Sequence, residues 1–213
     1  MNGILHKSQI KYLESLRKEK CELILKMEDF ALKNNVPILD WKSAEFLETL
    51  VQALRPENVL EIGTAIAYSS IRIARSIRKK GFIDTIEKSK DNIELALKYI
   101  EESGFDEKIN IIKGDALDII PNLENNYDLI FLDADKEDYE KLFDYSLKKL
   151  NKGGVIFIDN LLWKGYAASE EVPEKYINST EAIRNFNKYF LENEQLFSTI
   201  LPIGDGIGIG IKQ

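Results

Sequence analysis

Histidine and cysteine are nearly missing from this chain of 213 residues, which has one of each, His6 and Cys21. A single cysteine excludes an internal disulfide framework and is typical of a protein of the reducing cytosol. Both residues lie near the N-terminus, so a zinc site built on imidazole and thiolate ligands is not expected.

Long apolar runs are lacking as well. No segment approaches the ~20 apolar residues that span a bilayer, and the start, MNGILHKSQIKYLESLRKEK, has no apolar core of signal-peptide length. We therefore expect a cytoplasmic location and no membrane partner.

Proline is scarce, with five residues, and no Pro/Ser/Gly-rich linker interrupts the chain. This predicts one domain over residues 1–213, in which residues 1–40 form an N-terminal helical extension. The formal net charge of −7 argues against a surface built mainly for nucleic acid. Five basic residues against two glutamates nevertheless fall between residues 7 and 20. They form either a solvated helix face or a contact surface.

Short β-rich runs alternate with longer helical patterns along the rest of the chain. Strict alternation predicts parallel strands joined by helical crossovers on both faces of one sheet. The last two β-like runs, within 197–212, meet at Asp205-Gly206, which is a hairpin signal. The expected fold class is α/β, with a mostly parallel seven-stranded sheet and an antiparallel C-terminal hairpin. The predicted strands before the hairpin are 58–63, 82–87, 109–115, 127–135 and 155–160, and the predicted helices after the extension are 40–55, 68–80, 90–104, 116–123, 137–154 and 180–194.

Each of the first five predicted strands ends in an acidic residue. Ligands of such sheets bind at the carboxyl ends of the strands, so these acids are expected to surround one site. A single acid there is often the N-cap of the next helix, but a full set favours function. The set is Glu61, Glu87, Asp115, Asp133 with Asp135, and Asp159 followed by Asn160.

The turn after the first strand, in VLEIGTAIAYSS (59–70), contains one glycine, Gly63. It fails as a dinucleotide fingerprint because Ala65 and Ala67 replace the second and third glycines. Glu61 close by disfavours a pyrophosphate and suits a cationic or hydroxyl-rich ligand. Glu87, 26 residues later, is placed to accept hydrogen bonds from a ribose diol. With Asp115-Ala116 bordering an adenine, the pattern describes S-adenosylmethionine (SAM) better than NAD or ATP.

Four motifs, VLEIGTAIAYSS, GDA, FLDADKEDY and FIDNLLWKG, resemble those of the metal-dependent class I O-methyltransferases, which include catechol and caffeoyl-CoA O-methyltransferases. The resemblance covers residues 30–213 and implies the Rossmann-like fold of class I methyltransferases. It implies that the first turn holds the methionine part of SAM, the acid after the second strand the ribose, and GDA the adenine. One departure is Ala67, which stands where glycine is common and whose methyl group is expected to crowd the cofactor. The implied cofactor-binding residues are Glu61, Gly63, Thr64, Ser69, Glu87, Asp115, Ala116 and Asp133.

The same resemblance implies that Asp133, Asp159 and Asn160 bind a metal ion. Two carboxylates and an amide are hard oxygen ligands, which favours Mg²⁺, with Mn²⁺ or Ca²⁺ as alternatives. A bound dication lowers the pKa of a coordinated hydroxyl group. Lys136 matches the family's catalytic lysine; near a dication its pKa is expected to fall, so that it accepts the hydroxyl proton or stabilises the oxyanion.

The methyl acceptor stays open between two classes. The bacterial branch of the family includes tRNA 5-hydroxyuridine methyltransferases, which the chain resembles in its length and in NNVPILD (34–40), with Val36 then beside the cofactor. This is the preferred interpretation, with 5-methoxyuridine at the wobble position as product. A small catechol-like or caffeoyl-CoA-like phenol with vicinal oxygens is the alternative. Candidate phosphate contacts are Lys7, Lys11, Arg17, Lys18, Lys20, Lys33, Arg72, Arg75, Arg78, Lys79 and Lys80.

Three further expectations concern the loop after Asn160, the oligomeric state and whether the protein is an enzyme. Trp163 and Tyr166, in the loop after Asn160, form an aromatic wall over the acceptor or are packing residues. The resemblance implies a homodimer. A non-catalytic SAM-binding module is the alternative to an enzyme, and the complete set of Asp133, Lys136, Asp159 and Asn160 argues against it.

Overall fold

The computed structural model describes residues 6–213 of the chain. Within them, eight α-helices and seven strands alternate much as the sequence predicts. The helices are α1 (Lys7–Leu16), α2 (Glu22–Asn34), α3 (Trp41–Leu54), α4 (Tyr68–Ser76), α5 (Lys90–Ser103), α6 (Ala116–Ile119), α7 (Tyr139–Lys149) and α8 (Ile177–Leu191). The strands are β1 (Asn58–Ile62), β2 (Phe82–Glu87), β3 (Ile109–Lys113), β4 (Tyr127–Leu132), β5 (Leu150–Ile158), β6 (Leu196–Leu201) and β7 (Ile207–Lys212).

The seven strands form one sheet in the order β3-β2-β1-β4-β5-β7-β6. Strands β1 to β5 are parallel, and β7 is antiparallel to both β5 and β6. The strand order reverses between β1 and β4, and this switch point opens a crevice at the carboxyl ends of the strands. The predicted fold class is confirmed.

Both faces of the sheet are covered, which explains why the central strands are apolar throughout. On β4 and β5, Phe131 and Phe157 belong to one core, which packs under α2 to α5. The alternate residues Ile130 and Ile156 belong to the other core, which packs under α7 and α8. The sheet is therefore packed on both faces, and the strand ends, where function is expected, lie at the edge of this core.

Several boundaries differ from the prediction, and for the ends of α7 and α4 the structure gives the physical reason. Helix α7 ends at Lys149 and the next five residues begin β5, where the helical pattern was expected to continue to residue 154. Leu150 is buried opposite Tyr127, while Gly153 adopts φ +76°, which a helix does not permit. Helix α4 ends at Ser76 because Ile77 turns to an extended conformation and packs into the core.

Among residues 6–213, no helix combines the length and the apolar character that a membrane crossing requires.

Candidate active site

A cavity of about 580 Å³ lies at the carboxyl ends of β1 to β5. Its volume is within the range of small-molecule sites. Polar groups from separate strand ends converge on it, as the acids in the sequence predicted. The sequence-predicted site residues that line it are Gly63, Glu87, Asp115, Ala116, Asp133, Lys136, Asp159 and Asn160.

Gly63 joins the first turn to the end of β4. It adopts φ +102°, and a Cβ atom at this position would lie 1.9 Å from the carbonyl oxygen of Asp133. The Asp133 backbone N–H in turn donates to the Ile62 carbonyl at 2.9 Å. Only glycine permits this approach, which sets the predicted cofactor turn directly beside the predicted metal strand.

Glu87, at the end of β2, fastens the first turn through its carboxylate. Oε2 accepts a hydrogen bond from the Ala65 backbone N–H at 2.9 Å, and Oε1 accepts from the Ser89 N–H at 2.8 Å. A carboxylate offers about four lone-pair sites, so two remain for a ligand's hydroxyl groups. Asp115 has a similar double position, since it caps α6 through the Leu117 N–H at 2.9 Å while lining the cavity.

Three other predicted cofactor residues lie behind the cavity wall and do not line it. Glu61 is fully buried and accepts hydrogen bonds from Ser69 at 2.5 Å, Thr85 at 2.6 Å and the Ser70 hydroxyl. Thr64 shares a 2.6 Å hydrogen bond with Thr85. Burial raises the pKa of Glu61 to about 7, against the effect of the three hydroxyl donors. These hydrogen bonds connect β1 and the turn after it to α4 and β2.

Val36 and Ala67 are also placed differently from the expectation. Val36 packs against the core, and the next two residues, Pro37 and Ile38, line the cavity instead. Ala67 is fully buried at the start of α4, at φ 66°, and does not line the cavity. The methyl group that was expected to crowd a cofactor therefore points into the core.

The predicted metal ligands come from two adjacent strand ends. Asp159 follows β5, and its backbone N–H donates to the Leu132 carbonyl at 3.1 Å, which sets it beside Asp133. Its Oδ1 atom is buried without a hydrogen-bond partner in the described structure. Burial and then the charge of Asp133 raise the pKa of Asp159 well above its usual value. Asn160 adopts φ 66°, which turns its side chain into the same cavity.

The predicted metal ligands are two carboxylates, those of Asp133 and Asp159, and one amide, that of Asn160. Over residues 6–213, no three or more His, Cys, Asp or Glu side chains group together as a metal cluster. An unpaired, buried carboxylate oxygen is costly unless something compensates it. The hard oxygen donors and the orphaned Asp159 oxygen therefore fit a divalent cation, with water or a ligand in the other positions.

Lys136 is buried beside these carboxylates. Its Nζ donates to Asp133 Oδ1 at 3.0 Å, to the Ala134 carbonyl at 2.9 Å and to the Tyr139 hydroxyl at 2.7 Å. Burial lowers the pKa of Lys136, but Tyr139 and Asp133 raise it more, and the net direction is upward. Tyr139 and Asp133 thus oppose the fall in the pKa of Lys136 that is expected beside a dication.

Tyr139 was not recognised in the sequence. Its fully buried hydroxyl accepts from Lys136 and donates to the Asp159 carbonyl at 3.0 Å, so it links the lysine to the end of β5. The spacing of three residues between Lys136 and Tyr139 is the signal that could have found it, because such residues neighbour each other in a helical turn.

Trp163 lines the cavity, whereas Tyr166 does not. Tyr176 contacts both, edge-on to Trp163 with 6.0 Å between ring centroids and stacked on Tyr166 at 5.4 Å. The three rings form one aromatic cluster in the segment that follows Asn160. The position of Trp163 agrees with an aromatic wall of the cavity, whereas Tyr166 packs against Tyr176 and does not reach the cavity.

Several basic residues proposed to contact phosphate are already engaged by acids. Arg72 is fully buried and donates to Glu48 at 2.7 Å. Arg75 pairs with Glu48 and with Glu19, the latter at 2.6 Å, and Arg17 pairs with Glu28 at 2.6 Å. Those three arginines hold α1 to α4 together, and Arg72 is too deeply buried to contact a phosphate, so the expectation is wrong for Arg72. Lys7, Lys11, Lys18, Lys20, Lys79 and Lys80 are exposed.

The fold and the strand-end cavity define a class I methyltransferase, and comparison with known proteins identifies the family. The family model described as O-methyltransferase matches residues 10–213, so the chain belongs to that family. It is a SAM-dependent O-methyltransferase, and the alternative of a non-catalytic module is set aside.

Individual relatives agree. The caffeoyl-CoA O-methyltransferase of Medicago sativa is 32% identical over 184 residues, which cover 82% of this chain and 74% of the relative. The catechol O-methyltransferase of Niastella koreensis is 28% identical over 219 residues, covering 100% of this chain and 96% of that protein. The crystal structure of the O-methyltransferase TomG from Streptomyces achromogenes, in complex with SAM, superposes with a TM-score of 0.86 at 25% identity and covers 100% of this chain and 99% of that one.

Proposed function

We propose that this O-methyltransferase methylates one hydroxyl of a small phenol with two adjacent oxygens, with SAM as methyl donor and a divalent cation in the site. The observation that carries the proposal is the orphaned, buried Asp159 carboxylate beside Asp133 in the same cavity as Glu87 and Asp115. One end of the cavity is thus suited to a nucleoside and the other to a cation.

At the nucleoside end, Glu87 would accept hydrogen bonds from the ribose hydroxyls with its two remaining lone-pair sites. Asp115 and Ala116 would border the adenine, and the Gly63 turn would pass beside the methionine part. Glu61, Thr64 and Ser69 would act on SAM only through the turn that they support, because they do not line the cavity.

At the other end, Asp133, Asp159 and Asn160 would hold the cation, Mg²⁺ in preference to Mn²⁺ or Ca²⁺. The bound cation supplies a lowered hydroxyl pKa and a fixed direction for the acceptor oxygens. Lys136, held by Asp133 and Tyr139, would face the ionising hydroxyl and stabilise its negative charge. Holding donor and acceptor in line contributes up to about 7–11 kcal/mol in favourable cases.

The small phenol now takes precedence over 5-hydroxyuridine in tRNA. Relatives named for catechol and caffeoyl-CoA favour it, as does the pairing of Arg17, Arg72 and Arg75 with glutamates of the protein itself. Trp163 at the cavity edge suits an aromatic acceptor ring. The homodimer and the cytoplasmic location stay predictions.

The test is methyl transfer by chelator-treated protein to catechol, caffeoyl-CoA and tRNA containing 5-hydroxyuridine, followed by mass spectrometry. We expect no product in EDTA, recovery with Mg²⁺ or Mn²⁺, and faster turnover of the phenols. Asp159→Ala should be folded, bind SAM and be inactive, while Asp118→Ala, an exposed acid on α6, should behave as the parent. Full activity in excess chelator would refute the cation, and turnover of tRNA alone would refute the phenol.

A further inference from the structure

The segment between β5 and α8 brings Trp163 to the edge of the cavity in an unusual backbone conformation. The φ angle is 46° at Trp163, 57° at Lys164 and 83° at Gly165, so three consecutive residues are left-handed. Residues that have a side chain rarely adopt this region, and for Trp163 and Lys164 the backbone is strained. Such a conformation persists only where the surrounding structure fixes it.

Arg184, on α8, makes contacts of this kind. Its Nε donates to the Ala167 carbonyl at 3.1 Å, and its Nη2 donates to the carbonyls of Tyr166, at 3.0 Å, and Ser169. Within residues 6–213, all hydrogen bonds of this guanidinium go to backbone carbonyls of the segment. Charged donors make strong hydrogen bonds, and the planar fork of an arginine reaches several acceptors at once. Arg184 therefore fixes the backbone that follows the strained turn.

A second residue of α8 binds the start of the segment. Asn187, three residues after Arg184, donates from Nδ2 to the Leu161 carbonyl at 2.8 Å. Helix α8 thus holds the backbone on both sides of Trp163. Between these two contacts, the centroid of the Trp163 ring lies 5.8 Å from Nζ of Lys136. The position of this ring therefore depends on how α8 holds the backbone around it.

We propose that Arg184 is a positioning residue for the methyl acceptor, because it holds residues 161–169 in the conformation that makes the Trp163 ring a fixed wall of the cavity. Arg184 does not itself line the cavity, so it acts through the backbone of the segment. The choice of catechol as acceptor in the test rests on the proposed function. Loss of Arg184 should weaken acceptor binding more than it slows the chemical step, because other elements hold SAM and the proposed cation.

The first measurement is the steady-state kinetics of methyl transfer to catechol at saturating SAM and Mg²⁺. Arg184→Met keeps the aliphatic stem and loses every donor, so the KM for catechol should rise about 10-fold while kcat changes less than about threefold. The KM for SAM should change less than about twofold, because Glu87 and Asp115 are untouched. Lys188→Met, which removes the same charge from an exposed position of α8, should behave as the parent.

The second measurement follows Trp163 directly. The chain has two tryptophans, so Trp41→Phe leaves Trp163 as the only one. In this background Arg184→Met should shift the emission to longer wavelength and raise acrylamide quenching by about twofold or more, because the released segment opens to solvent. Arg184→Lys has a single nitrogen in place of the fork and should lie between the parent and Arg184→Met in both measurements.

A residue that only stabilises the fold would lower the urea midpoint and leave both readouts of the folded protein unchanged. An unchanged KM for catechol or unchanged Trp163 quenching in Arg184→Met would therefore overturn the positioning role. If Arg184→Met does not fold, the same result in Arg184→Lys overturns it.

The route through Trp163 has its own test. In a Trp163→Ala background, Arg184→Met should have almost no further effect on the KM for catechol, and an undiminished effect there would overturn the proposal. A parent protein that does not methylate catechol refutes the proposed acceptor, and Trp163 quenching alone then decides the role of Arg184.

Discussion

Glu61 is a carboxyl group enclosed by hydroxyls at the base of the turn between β1 and α4. Burial raises its pKa to about 7, above the value of 4.5 for a free glutamate. The folded state therefore favours the protonated form. This group stabilises the fold most below pH 4.5, and the contribution is lost as the pH rises to about 7.

From that difference we predict a pH-dependent stability difference between the parent and Glu61→Gln, which cannot ionise. Relative to the variant, the parent should lose about 3 kcal/mol of unfolding free energy between pH 4.5 and pH 7. Urea unfolding at several pH values measures it. An exposed-acid variant, Glu124→Gln, is the control. A difference that does not vary with pH would show that folding leaves the pKa of Glu61 unchanged.

The residues of the site were predictable to different degrees. Asp133, Asp159 and Asn160 stand at the ends of apolar runs, and the rule for parallel sheets brings such ends together. Glu61 lies in β1 and Thr64 in the turn that follows it, but both side chains are buried behind the cavity wall, and only the direction of each side chain in the folded structure reveals this. Tyr139 has one signal, its distance from Lys136, and that signal alone does not distinguish it from a core tyrosine.

Helices α3 and α4 and the link between α1 and α2 are joined by charge. Glu48 of α3 accepts hydrogen bonds from Arg72 at 2.7 Å and from Arg75 Nη2 at 2.9 Å, and Arg75 also reaches Glu19. Arg72 is fully buried, so it depends on these acids for compensation. Arg72 and Glu48 are 24 residues apart in sequence. The sequence alone therefore does not reveal that this basic residue is paired with an acid.

Breaking this network from one side should be costly. Glu48→Ala leaves Arg72 without its nearest carboxylate, and we predict a loss of about 3–5 kcal/mol of unfolding free energy. Glu45→Ala, on the same helix, removes a half-exposed carboxylate that lies 3.6 Å from Arg17, and it should cost less than about 1 kcal/mol. Comparison of the urea midpoints of the two variants tests the prediction. Equal midpoints would contradict it.

At the scale of elements, alternation of strand and helix was enough to predict the sheet. The boundary between α7 and β5 was not predictable, because Leu150 continues the apolar pattern of the helix while its side chain packs against Tyr127 of the neighbouring strand. The apolar character of Leu150 is therefore consistent both with a continued helix and with the start of a strand. The two glycines that follow decide in favour of the strand.

The whole molecule is acidic, with a net charge of −7. Arg17, Arg72 and Arg75 are paired with glutamates, and acidic residues outnumber the basic residues over the whole chain, which disfavours attraction of a polyanion. We predict that kcat/KM for catechol changes less than about twofold between about 50 and 200 mM NaCl. A protein that neutralises several phosphates would instead lose orders of magnitude in affinity over that range. Steady-state kinetics with catechol and filter binding of tRNA across this series check both statements.

The position of β7 between β5 and β6 has a consequence for biosynthesis. Strand β5 ends at Ile158, but the strand that covers its other edge begins only at Ile207. A nascent chain that has emerged from the ribosome only as far as α8 therefore has an open β5 edge. Such open edges recruit other chains. A pause in translation that keeps β7 inside the ribosome would expose this chain to aggregation more than an equally long pause before α3 has emerged.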